Sequence, residues 1–217
     1  MAVQERSSVA ASPDRRSQLS LFARNFFKHP RMLGSIIPSS SFLVRRLLEP
    51  VDWERARVIV EYGPGVGTIT RSILERLHPE ATLLVIETNE EFVDYLSRSL
   101  SDPRLKIVAG SAETIKSELQ HLQLPAADYV VAGLPFSTMP AMVCESLLKG
   151  SHEALAPHGE MLVYQFSPKV SSNLRQTFRH VESAFEPINV PPARLYFCHK
   201  YRCSFHTAGF PCLRSPL

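Results

Sequence analysis

Residues 58–70 read VIVEYGPGVGTIT, and no other stretch constrains the fold as strongly. A short β-branched run, RVIVEY (57–62), ends on Glu61 and Tyr62. Gly63, Gly65 and Gly67 follow, and then a helical stretch over Ile69–Leu77. Without Cβ atoms the glycines permit a tight turn and let a ligand press against the backbone. A strand passing through such a turn into a helix opens an α/β sheet, whose ligand crevice lies at the carboxyl ends of its strands.

The rest of the chain continues the alternation. TLLVIE (82–87) is predicted as a second strand, followed by a helix carrying Phe92, Val93 and Leu96. LKIVAG (105–110), DYVVAG (128–133) and EMLVYQF (160–166) extend the series, with a helix over Ala141–Leu148. Near-continuous apolar strands separated by helices imply a parallel sheet covered on both faces. The tail segments SAFEPINV and RLYFCHKYRCSF add two strands, the last alternating and antiparallel, for seven in total.

Ahead of this body, residues 1–17 have no periodicity and read as a disordered leader. Residues 18–50 are expected to hold an amphipathic helix (Gln18–His29), an irregular loop LGSIIPSSSF, and a second helix capped by Ser40 or Ser41. Residues 51–217 are expected to form a single domain. In the first helix Phe22 and Phe26 share one face, with Arg24 and Lys28 opposite. It fits a membrane surface or the protein's own core equally.

Charge is uneven. Residues 1–50 carry eight arginines and lysines against three acids, a net +5, leaving −2 for the remainder of a chain at +3. A basic leading segment on a near-neutral body is drawn to anionic lipid or nucleic acid. No run of about 18 apolar residues appears, and the first residues do not resemble a signal peptide, so a cytoplasmic protein is expected. The four cysteines form no C-x-x-C pair. Cys198, His199, Cys203 and His206 are read as incidental neighbours, and no metal is expected.

The chemistry concentrates at the glycine turn. A dinucleotide fingerprint needs G-x-G-x-x-G, which G-P-G-V-G does not match. An acid just before the turn opposes phosphate and fits a ligand with a cationic end. Glu87 ends the second strand about 20 residues beyond the glycines, where ribose hydroxyls are met. This E-x-G-x-G-x-G pattern with an acid closing the next strand resembles the class I S-adenosylmethionine-dependent methyltransferases, over roughly residues 31–205. The resemblance implies a Rossmann-like fold with S-adenosylmethionine as cofactor. It places Glu61, Gly63, Gly65, Gly67 and Thr68 at the methionine end, and Glu87 and Thr88 at the ribose. Beside the adenine fall Ser111, Ala112 and Glu113, with either Ser111 or Glu113 meeting its amine.

AGLPFS (132–137) occupies the place of the Asn-Leu-Pro-aromatic motif of the ribosomal RNA adenine dimethylases, but Gly133 stands where they have Asn. Losing that acceptor disfavours a base amine and leaves room for an aliphatic one. The resemblance makes Gly133, Leu134, Pro135 and Phe136 the catalytic segment. The Phe136 ring either faces a substrate ammonium or sits in the core. Tyr164, Tyr196 and Tyr201 are headgroup contacts or core residues.

Together with K-H-P-R-x-x-G-S-I-I-P-S-S, these motifs resemble the bacterial phospholipid N-methyltransferases. In that family the loop lines the cofactor pocket, which implicates Gly34, Ser35, Ile37, Pro38 and Ser39. It also implies that Phe22, Arg24, Phe26, Lys28, Arg31 and Ser40 meet substrate or membrane. The implied activity is methylation of phosphatidylethanolamine toward phosphatidylcholine by a peripheral enzyme on the inner face of the cell membrane. No obligate protein partner is implied. An RNA adenine N-methyltransferase and a non-catalytic cofactor-binding protein are the alternatives.

Overall fold

In the computed structural model the described residues are 40–201. The residues expected to form an amphipathic helix (18–29), the loop residues 33–39, and Cys203, His206 and Cys212 lie outside them. The elements in chain order are α1 (Ser41–Leu47), β1 (Val58–Tyr62), α2 (Thr68–Leu74), β2 (Thr82–Glu87), α3 (Glu90–Ser99) and β3 (Leu105–Ala109). There follow α4 (Ile115–His121), β4 (Ala127–Ala132), α5 (Ala141–Ala154), β5 (Leu155–Gln165), α6 (Ser171–Thr177), β6 (His180–Glu186) and β7 (Ala193–His199). The strands form one sheet in the order β3-β2-β1-β4-β5-β7-β6. Strands β1 to β5 pair in parallel, and β7 runs antiparallel between β5 and β6. This is the Rossmann-like arrangement expected from the sequence.

Burial explains the near-continuous apolar strands. Every residue of β1 is buried, and so are five of the six in β2 and in β4. Successive side chains point to opposite faces, so each strand needs apolar residues on both. Leu43, Leu47, Ile73 and Leu96 of α1 to α3 cover one face with Ile59, Leu83 and Val131. Ile115, Leu147, Leu148 and Leu174 of α4 to α6 cover the other with Val60, Leu84 and Met161.

Local chemistry sets the helix starts. Ser40 caps α1, its Oγ accepting from Leu43 N at 3.2 Å. Asn89 caps α3, its side chain accepting from Glu91 N at 2.9 Å, and Glu90 and Glu91 complement the dipole of the first turn. Because β1 to β5 are parallel, their carboxyl ends share one edge. The antiparallel turn back from β6 brings the β6–β7 connection to that same edge.

Several boundaries differ from the sequence reading. Strand β5 begins at Leu155, five residues early, with a register shift against β4 between Ala127 and Tyr129. Strand β6 ends at Glu186 rather than continuing to Val190, because Pro187, Pro191 and Pro192 supply no N–H to a ladder. Helices α4 and α6, one turn or two in length, were not read from the sequence.

One buried polar pair ties β1 to α5. Ser151 Oγ donates to Leu147 O at 2.7 Å, which leaves Tyr62 Oη to donate to Ser151 Oγ at 3.1 Å. Ser151→Ala therefore strands a buried phenol. It should lower unfolding free energy by about 1–3 kcal/mol, read from the chemical denaturation midpoint.

Candidate cofactor and methyl-transfer site

The glycine turn leaves β1 with φ of +62° at Gly63, +55° at Gly65 and +77° at Gly67. This is the left-handed region that favours glycine. Two of these positions are also crowded. A Cβ on Gly63 would lie 2.9 Å from Leu134 Cδ2, and one on Gly67 would lie 2.6 Å from Leu96 Cδ2. Gly67 N donates to Pro64 O at 2.9 Å, closing the turn. Arg71, one helical turn into α2, reaches back to Val66 O at 2.6 Å and Gly67 O at 3.0 Å. That guanidinium clamp went unnoticed in the sequence, although its position four residues beyond Gly67 on a helix is the signal that it can reach.

Glu61 closes the floor of the crevice. Its side chain is buried, and among the described residues its Oε2 has no hydrogen-bond partner. Burial pushes its pKa up to about 8. Thr70, close by but short of hydrogen-bond geometry, opposes the rise, and the Glu87 carboxylate adds to it. A buried carboxylate without a partner costs stability unless a cationic or donating group meets it. Glu87 is better satisfied, accepting from Asn89 N at 2.9 Å and Gly65 N at 3.3 Å. Burial still raises its pKa above the usual carboxylate range, against bonds from Asn89, Gly65 and exposed Thr88. Thr68 opens α2, and its carbonyl accepts from Ser72.

At the end of β3 the chain turns through Ser111, which accepts from Glu113 N at 3.3 Å while its hydroxyl lies 3.4 Å from Glu113 Oε2. Ala112 is buried beneath them. The two candidate adenine contacts thus share one spot at the rim of the crevice.

The β4 end sharpens the reading of Gly133. A Cβ there would lie 2.6 Å from Tyr164 Oη and 2.8 Å from its Cε1. The Tyr164 ring, from the neighbouring strand β5, fills the volume an Asn side chain would take. Gln165 Nε2 donates to the Leu134 carbonyl at 2.6 Å and orients it. Leu134 and Pro135 are half-buried, with Leu134 lying over Gly63. Phe136 is packed in the core on the α4–α6 face, while Tyr164 belongs to the opposite face. Of the two alternatives for Phe136, the structure has the core position. Among the tyrosines, Tyr164 meets the site, Tyr196 is core, and Tyr201 lies beyond β7 at the other edge of the sheet.

Ser40 starts α1, and its N–H donates to Asn189 in the β6–β7 turn at 2.9 Å. Gly34, Ser35, Ile37, Pro38, Ser39, Phe22, Arg24, Phe26, Lys28 and Arg31 lie outside the described residues. Cys144 and Cys198 are buried free thiols. His180, Glu182 and His199 converge at the sheet edge remote from the glycines. Glu160 sits 3.2 Å from His199 Nδ1, and their hydrogen bond raises the His199 pKa.

An orphaned carboxylate, a left-handed glycine turn with no room for side chains, and an acid on the next strand together make a site for a cationic nucleoside. They fit S-adenosylmethionine, and the fold with this site defines a Rossmann-like methyltransferase. Comparison with known proteins agrees. The methyltransferase small domain family matches residues 34–187, and the chain belongs to it. It is an S-adenosylmethionine-dependent methyltransferase.

The chain is 36% identical to the ornithine lipid N-methyltransferase of Singulisphaera acidiphila over 85% of its own length and 97% of that protein's. It is 28% identical to ribosomal RNA small subunit methyltransferase A of Parabacteroides distasonis, over 51% of this chain and 39% of that one. Among solved structures, the O-methyltransferase TomG of Streptomyces achromogenes, in complex with the same cofactor, superposes with a TM-score of 0.60. It is 16% identical over 88% of this chain and 93% of TomG. A methyltransferase of Geobacter sulfurreducens gives 0.58 at 12% identity, over 86% and 92%.

Two outcomes test this geometry. Since Glu61 titrates near pH 8 in the free protein, it is largely protonated at pH 6 and must release its proton to meet a cationic ligand. Cofactor affinity should therefore rise from pH 6 to 8 with net proton release, and Glu61→Gln should flatten that slope. Calorimetry in buffers of different ionisation enthalpy measures both. Gly133→Ala should cost about 1–3 kcal/mol by overpacking. In a Tyr164→Ala background the cost should vanish, and an equal cost in both backgrounds would rule out the contact.

Proposed function

We propose that this enzyme methylates the headgroup amine of a membrane lipid. The observation that carries the reading is the Gly133–Tyr164 contact. It replaces a side-chain amide acceptor with a phenol and so disfavours a base amine. The 36% identity to an ornithine lipid N-methyltransferase along nearly its whole length supports a lipid amine. The motifs of the phospholipid N-methyltransferases support phosphatidylethanolamine. Both lipids present a primary aliphatic amine at the polar end of an acylated molecule.

When bound, S-adenosylmethionine supplies a methyl group on a sulfonium, ready for in-line displacement. The protein's part is to bind and orient. Glu61 and the amides of the glycine turn would hold the methionine end, Glu87 the ribose, and the Ser111–Glu113 turn the adenine. The Leu134 carbonyl accepts from both Gln165 Nε2 at 2.6 Å and Phe136 N at 2.9 Å, which fixes the segment and leaves the neighbouring Gly133 carbonyl as the acceptor for the incoming amine. A headgroup ammonium must lose a proton before attack, and burial against Leu134 and Tyr164 favours the neutral amine. The neutral amine would keep two N–H groups, one of them donated to the Gly133 carbonyl so that its lone pair faces the methyl, and the methylated ammonium would release one proton to water.

No described helix is long and apolar enough to cross a membrane. We place the enzyme on the inner face of the cell membrane, peripherally attached. Methylation of an RNA adenine is the second reading, favoured by the partial matches to ribosomal RNA methyltransferases. The purified protein is to be incubated with methyl-labelled cofactor and, separately, phosphatidylethanolamine vesicles, ornithine-lipid vesicles and ribosomal RNA. Label is expected in one or both lipids. Label in RNA with none in either lipid would overturn the proposal.

A further inference from the structure

The β6–β7 connection, Pro187–Pro192, has an unusual surface. Ile188 is 58% exposed and Val190 83% exposed, and all three prolines of the turn are exposed. Asn189 alone points inward. It is buried, accepts from Ser40 N, and donates to Pro191 O at 2.7 Å. The tip is therefore a fixed apolar knob, not a solvated polar turn. Its backbone is also short of free donors. The prolines have no N–H, and Ile188 N donates to Glu186 Oε1 at 2.9 Å. Few backbone N–H groups would lose water if the tip entered an apolar phase.

Behind the tip stands a ring of cations. Arg194 lies over the exposed Phe185 ring at 5.7 Å, and Arg45 over the exposed Phe42 ring at 5.4 Å. Arg46, beside Arg45 on the outward side of α1, bonds Phe185 O at 2.8 Å and pairs with the buried Glu186 at 3.5 Å. Apolar tip first and arginines second is the order of an interfacial segment, with apolar groups below the headgroups and cations at the phosphates. Glu186, the acid nearest the tip, is buried and taken up by Arg46 and Ile188 N. Exposed Glu49 follows the C-cap of α1 and lines the same surface pocket as Arg45 and Arg46, one acid against these two arginines and Arg194.

The topology then aligns this surface with the chemistry. Strand β7 starts at the same sheet edge where β4 ends, with β5 between them. Two strand spacings separate them, about 10 Å, comparable with the depth of a lipid headgroup region.

We propose that the β6–β7 turn and the outward face of α1 dock the enzyme on an anionic lipid bilayer. The tip enters the interface, and Arg45 and Arg194 sit among the phosphates, so that the β4 end of the crevice opens onto the headgroups. This rests on the lipid-amine reading for its purpose but is tested apart from it.

The full chain is to be sedimented with vesicles of phosphatidylglycerol and phosphatidylethanolamine. Ile188→Ser/Val190→Ser should weaken binding about tenfold or more. Arg45→Gln/Arg194→Gln should do the same at low salt, with a flatter salt dependence than the unaltered protein. Cofactor affinity should be unchanged in both, which separates lost docking from lost folding. In a Val190→Trp variant, brominated lipid should quench emission beyond the Trp53 background.

Unchanged sedimentation of the Ile188/Val190 variant would overturn the docking surface. So would a residue-190 tryptophan that is shielded before vesicles are added and not quenched afterwards, which would mean that residues 1–39 cover the tip. Tip-dependent binding by a protein that labels no lipid leaves the docking surface standing and removes the lipid-amine reading. Equal lipid methylation by the tip variant and the unaltered protein does the reverse.

Discussion

A single carboxylate, Glu61, organises this protein. It stands one residue before the end of a fully buried strand, with one oxygen lacking a partner among the described residues, and burial raises its pKa to about 8. A stable fold carries such a group only where something else requires it. The surroundings hold it in place. The glycine turn begins two residues later, Arg71 clamps that turn from α2, and Glu87 accepts from Gly65 within the turn. Two acids beside a turn of amides reject phosphate as the main anchor and accept a cationic nucleoside.

The sheet does the assembly. Parallel strands bring the glycine turn, the Ser111–Glu113 turn and the Gly133 segment to one edge although they are some 20 to 70 residues apart in the chain. The reversal through β6 and β7 places an apolar, arginine-flanked turn at the same edge. Ser40, at the junction with the preceding loop residues, is bonded to that turn through Asn189. Cofactor chemistry and the proposed lipid contact thus share one side of the molecule.

How much could be read in advance differs by element. Strand β2 was bounded to the residue, because an unbroken apolar run between a turn and an acid has one interpretation in a two-sided sheet. A serine cap followed from local hydrogen-bond chemistry, but the choice of Ser40 over Ser41 came from the structure. Helices α4 and α6, seven residues each, give too few turns for a 3.6-residue period to stand out. The early start of β5 depends on a register shift against β4, which is a property of the pair. Phe136 had two readings at equal standing, and its place in the core came from packing on the α4–α6 face.

By itself the sequence determined the class of fold, the cofactor chemistry and the residues at the glycine turn. These depend on local spacing, on the conformational freedom of glycine and on the charge at strand ends. Tertiary structure decided what Gly133 is for. Its missing side chain reads as a lost acceptor until the Tyr164 ring, 31 residues away and one strand over, is seen in the same volume. It also turned a proline-rich segment expected as strand into a rigid apolar tip, through a buried asparagine bonded to a serine 149 residues earlier. Contacts between distant segments carry no periodicity and no motif, so they become visible only when the chain has folded.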